Sequence, residues 1–84
     1  MGVSDLGERI SEQAGVLARE GSDLRTAAAT LVELAEGDED ALREAQHRWA
    51  EALHDQPEDG DALGALVLVG AALHLQTHPD ARGS

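Results

Sequence analysis

The chain contains no cysteine, no phenylalanine, no tyrosine and no lysine, and it has one tryptophan and two prolines in 84 residues. Without cysteine there is no disulfide staple, no thiolate nucleophile and no thiolate zinc site. With one aromatic, the core must be assembled from Leu, Val and Ala, joined by Ile10 and Trp49. A domain this short lies near the size at which a single core just offsets the entropy of ordering the backbone. Self-association is therefore an expected source of further burial, and a homo-oligomer or a protein partner is the expected assembly.

The missing lysine leaves six scattered arginines against seventeen acidic residues, for a formal net charge of -11. Phosphate recognition needs a basic stripe, so nucleic acid is excluded as an expected partner. The acid excess suits either the solubility of an Ala-rich helical protein or attraction to a basic partner. Also missing are a Gly-x-Ser-x-Gly elbow and a phosphate-cradling glycine loop. No catalytic residue and no cofactor are assigned, and the chain is expected not to be an enzyme.

The opening MGVSDLGERI carries acids where a secretory leader needs a basic and then apolar stretch, so a cytoplasmic location is expected. Gly2 lacks the Ser or Thr that myristoylation favours at position 6, which is Leu6. The apolar run over 62–75 is shorter than the roughly 20 residues a bilayer core requires, so no membrane partner is expected.

What is present is helical periodicity. Ser4 reads as the N-cap of a first helix reaching about Glu20, with Leu6, Ile10, Ala14 and Leu17 on one stripe and Gly7 and Gly15 weakening it. Gly21 ends it and Ser22 reads as the cap of a second, whose buried face is Leu24, Ala28, Leu31 and Ala35, widened by Val32 and Leu34. Gly37 stops that helix, and Asp38-Glu39-Asp40 forms the acidic opening of a third.

The third helix has the clearest two-sided pattern. Leu42, Ala45, Trp49, Ala52 and Leu53 share one side, while Arg43, Glu44, Arg48 and Glu51 face the other. Pro57 closes it. Asp59 or Asp61 caps a fourth helix, which His78-Pro79 ends. Over 63–75 that helix is apolar all round, so it is expected to be surrounded. The expectation is an all-α chain, either a small four-helix bundle or stacked helical hairpins, with one domain over 1–79 and a frayed tail over 80–84.

Ala45, Trp49, Ala52 and Pro57 meet four spacings of the second half of a tetratricopeptide repeat: a small residue, an aromatic, an alanine and a helix-stopping proline. Leu63, Leu66 and Val67 fall at the positions that open the next unit. This stretch resembles that family over about a third of the chain, while Ala29, Val32 and Glu33 stand where its tryptophan, leucine and glycine belong. The resemblance implies a protein-binding scaffold without chemistry of its own. Trp49, Leu53 and Leu42 are the candidate partner-binding residues, with Trp49 as the anchor because aromatic residues dominate interface energy.

Three further constellations bear on rival functions. Glu44-x-x-His47 and Glu51-x-x-His54 have the spacing with which ferritin-like helices present metal ligands. The two pairs lie about 10 Å apart along one helix, so a shared ion would need Glu12, Glu33 or another subunit. His74 and His78 stand at i,i+4, in outline a chelating pair. Gly21-Ser22-Asp23-Leu24 resembles the serine site of acidic four-helical carrier proteins, but that family has Asp-Ser-Leu where this chain has Ser-Asp-Leu. The chain is expected to be an interaction module, with a metal-binding ferritin-like oligomer and a carrier-like domain as alternatives.

Overall fold

The computed structural model describes the backbone over residues 3–77 and side chains over 6–77. Four helices follow one another: α1 (Val3–Glu20), α2 (Leu24–Ala35), α3 (Glu39–Asp55) and α4 (Gly60–Thr77), with no strand among the described residues. They pack as a small all-α four-helix bundle. The predicted tail over 80–84 and the helix stop at His78-Pro79 lie outside the described residues.

The helix ends follow backbone chemistry. Gly21 adopts a left-handed φ of 72°. Its N–H donates to the Ala18 carbonyl at 3.2 Å and the Ser22 N–H to the Leu17 carbonyl at 3.2 Å, the paired bonds of a Schellman stop. Because Ser22 completes that turn, the N-cap of α2 is the next residue, Asp23, whose carboxylate accepts from the Thr26 N–H. The expectation for Ser22 is corrected accordingly. Ser4 is corrected too, since α1 is already helical at Val3 and Ser4 lies inside its first turn.

Further along, Glu36 and Gly37 are both left-handed and end α2, and Asp38 caps α3 by accepting from the Ala41 N–H at 3.2 Å. The α3 helix stops at Asp55, two residues before Pro57. Of the two predicted caps of α4 it is Asp59 that acts, accepting from the Asp61 N–H at 3.0 Å.

The core is built largely of small residues. Nine of its sixteen buried apolar side chains are alanine, and the large ones that are fully enclosed are Ile10, Leu31, Leu42 and Val69. Alanine lets helix axes approach closely but fills little volume, so the bundle is thin, 35 × 31 × 18 Å. The short dimension accommodates about two helix diameters.

That thickness decides the fate of α4. It packs against α1, α2 and α3, and no other helix touches all three of its neighbours as extensively. Three neighbours in two layers cannot enclose a fourth helix completely. Leu63 and Val67 are 52% and 50% exposed, and Leu24, expected on the buried face of α2, is 48% exposed. The expectation that 63–75 is shielded all round is therefore corrected: the helix is the hub of the bundle, open along one side. It is also longer than its apolar run, because Asp61, Gln76 and Thr77 are within it. By length and composition α4 is the one described helix that could cross a membrane.

Candidate interaction surface

The two sides of the bundle bury their residues to different extents. On the first, α3 lies along a stripe of small residues on α1, Gly7, Ser11 and Gly15, spaced one turn apart. Trp49 enters this stripe. Its indole Nε1 donates to the Ser11 carbonyl at 3.0 Å, and its ring rests on Gly15, where an added Cβ would meet Cζ2 at 2.9 Å. The Glu44 carboxylate rests on Gly7 in the same way and accepts from Arg48 Nε and Nη2 at 3.3 and 3.2 Å. The Ser11 hydroxyl donates to the Gly7 carbonyl at 2.9 Å. The two glycines expected to weaken α1 are the places where α3 approaches it most closely.

The predicted partner-binding residues divide accordingly. Leu42 is completely enclosed within the bundle, Leu53 is half-buried, and half-buried Trp49 is held between α1 and α3. They share one helix face, but as described that face is occupied mainly by the chain's own α1 and α4.

Of the predicted metal-ligand residues, Glu44 lies against Gly7 of α1, while His47, Glu51 and His54 are exposed on α3. Glu44 is engaged by Arg48, and His47 Nε2 meets Glu51 Oε2 at 2.9 Å on an exposed turn. His47, Glu51, His54 and Asp55 line one shallow groove. No three His, Asp or Glu side chains among the described residues converge on a point that could hold an ion. Glu12 lies on α1 in a groove shared with Arg48 and Trp49, and Glu33 is exposed on α2, so neither is brought to the His47–His54 face. His74 is exposed near the end of α4, and its predicted partner His78 lies outside the described residues. Ser22 is half-buried within the α1–α2 turn.

The surface that sequence reasoning missed is the open side of α4. Leu63, Gly64, Val67 and Leu68 line a shallow apolar groove with Ala18 and Leu24. Leu24 also borders an adjoining hollow formed with Arg25, Ala28, Ala71, His74 and Leu75. The outward line along α4 is Gly60, Leu63, Val67, Gly70, His74 and Thr77, with steps of 3, 4, 3, 4 and 3 residues. That alternation is the seam spacing with which one helix packs along another. No Asp, Glu or Arg interrupts it in a chain that carries seventeen acids. The fourth exposed large apolar residue, Val16, lies apart from this line, beside Trp49 and among Glu8, Glu12, Arg19 and Arg48.

No family model matches this sequence, and no curated protein or solved structure is detectably similar to it.

Proposed function

We propose that this chain is a non-catalytic helical interaction module that docks another polypeptide on the open side of α4 and the adjoining Leu24. The observation that carries the reading is the grouping of Leu24, Leu63 and Val67, each about half exposed, around one groove lined by no charged residue. Contiguous exposed apolar surface of this kind marks a binding site on a soluble chain more often than scattered single residues do. Covering the exposed half of each side chain contributes about 1 kcal/mol. Three of them supply a useful part of the free energy that association must find.

The tetratricopeptide-like reading of α3 and α4 is in keeping with this role. In such arrays each helical unit leaves a face for its neighbour to cover. Ala45 is buried, Trp49 fills an interhelical groove and Pro57 follows the end of α3. The occupant is taken to be protein and not bilayer, because α1, α2 and α3 all pack against α4.

The test is a photo-crosslinking amino acid at position 67, with position 33 on an exposed part of α2 as the control. Polypeptide adducts from 67 and none from 33 are expected. No adduct from 67, or equal adducts from both, contradicts the reading. Stoichiometric iron or zinc in the purified protein would instead favour the metal-binding alternative.

A further inference from the structure

We propose that the occupant of this surface is a basic amphipathic helix of another protein, an apolar stripe flanked by Lys and Arg, laid along α4 between Gly60 and Leu75. The proposal rests on the interaction reading above and names the partner's chemistry. Its first support is the form of the surface. The groove at Leu63 and Val67 and the hollow beside Ala28 and Ala71 share Leu24, so together they follow α4 for about four turns, or about 22 Å. The described residues include no strand, so they offer an extended peptide no sheet edge to join. The recognition mode that remains is a helix laid in a groove and anchored by side chains at helical spacing. A small apolar ligand needs a pocket that buries most of its surface, and both depressions are shallow.

The second support is charge, which selects the sign of the partner. Asp59 and Asp61 flank Gly60, which lines the groove where α4 begins. The Asp59 carboxylate accepts from the Asp61 and Ala62 N–H groups, which fixes it at that end. The helix dipole sets roughly half a positive charge there against two carboxylates, so the end stays negative. At the other end Asp23 and Arg25 border the hollow together and offset each other. Arg19, next to Ala18 in sequence, lines the separate groove beside Trp49. With no lysine and a net charge of -11, the whole molecule attracts a cationic segment and repels a second copy of itself.

Apolar contact and charge act at different stages. Leu24, Leu63 and Val67 receive the apolar stripe of the partner once it is seated. The acids act mainly on its approach, which makes association fast and sensitive to salt. A contact one helix wide covers less than the roughly 800 Å² per partner of a standard interface, so the complex is weak and reversible.

The test is fluorescence anisotropy of the intact chain with a labelled helical peptide of leucine and lysine, its leucines on one face, and a comparison peptide with glutamate at every lysine. The Leu/Lys peptide is expected to bind at least about tenfold more tightly than Leu/Glu at about 0.1 M salt, and to weaken by about tenfold at about 0.5 M. Val67→Glu should weaken its binding by about tenfold although it adds an acid, because it sets a charge in the apolar groove. Leu63→Gln is a second groove variant, for which a loss of about threefold is expected. Circular dichroism of both is expected to be unchanged, because each side chain replaced is half exposed. Asp61→Asn should weaken binding by about threefold, and Glu33→Gln, the same loss of charge on an exposed part of α2, by much less.

If Val67→Glu and Leu63→Gln both bind the Leu/Lys peptide as tightly as the parent does, general acidity holds it and the proposal is overturned. Asp61→Asn and Glu33→Gln with equal effects would remove the acids beside Gly60 from the recognition and overturn it as well. Equal affinity for the two peptides, lost in both groove variants, would reject the basic partner and leave the interaction reading standing. Binding of neither peptide also rejects the basic helix, while adducts from position 67 decide the interaction reading by themselves.

Discussion

The α1–α3 seam and the outer stripe of α4 start from similar material and end differently. Each is a line of small residues beside a few large ones, Gly7, Ser11 and Gly15 on α1 and Gly60, Gly70 and Ala71 about Leu63 and Val67 on α4. The first is closed by this chain's own α3, whose Trp49 and Glu44 fill the space the glycines leave. The second has no remaining helix to cover it. In an 18 Å thick bundle the supply of neighbours runs out before the apolar surface does.

The comparison is broken most severely from within the closed region. Leu42, fully enclosed, should cost about 3 kcal/mol when cut to alanine, because the surrounding alanines cannot collapse into the space. Chemical denaturation reads this directly, and in so small a domain the loss approaches global unfolding. Trp49→Ala should cost about 2–3 kcal/mol, since it removes the ring from Gly15 and the indole bond to Ser11. If that variant melts at the wild-type temperature, Trp49 does not join α1 to α3.

Two glycine substitutions sharpen the contrast with opposite signs. Replacing a helical glycine by alanine ordinarily stabilises by up to about 1 kcal/mol. At Gly15 the new methyl would meet the indole, which cannot slide away and keep its bond to Ser11, so Gly15→Ala should destabilise by about 1–2 kcal/mol. At Gly70 the nearest atom to an added Cβ is Gln46 Nε2 at 3.7 Å, an ordinary contact. Gly70→Ala should therefore raise the melting temperature of the dilute protein, by the equivalent of about 0.5–1 kcal/mol. Parallel thermal melts of the two variants check both signs.

Much of the bundle was legible because its signals are local. Gly21 and Gly37 take the left-handed turns, Asp38 caps α3, and Pro57 bounds it, each acting within a few residues of its own position. The shift of the α2 cap from Ser22 to Asp23 shows the resolution of such signals. Adjacent residues can both cap, and the choice depended on how many residues the preceding turn consumed. Three of the four stripe residues expected on α1, Ile10, Ala14 and Leu17, are buried, and Leu6 packs against them half-buried, because a two-sided pattern states its own direction.

The open surface was not legible for the opposite reason. Residues 63–75 are apolar on every side, so nothing in their pattern says which side goes without a neighbour. The position of α2 decides it, and that is a property of the packed whole. Leu24 was misplaced by the same gap: it continues the apolar face of α2 in sequence but stands beyond the edge of α4's coverage. The signal that was available was negative, the absence of charge along 60, 63, 67, 70, 74 and 77. Trp49, likewise, could be recognised as a groove filler, but its groove is made by Ser11 and Gly15, more than thirty positions earlier.

The most direct test of the central claim is equilibrium urea unfolding of Val67→Arg at a concentration low enough for any assembly to be dissociated. An open stripe on α4 predicts a stability within about 0.5 kcal/mol of the parent, as for a surface position. A loss of several kcal/mol would mean that Val67 is interior to the folded chain and that the face assigned to a partner does not exist.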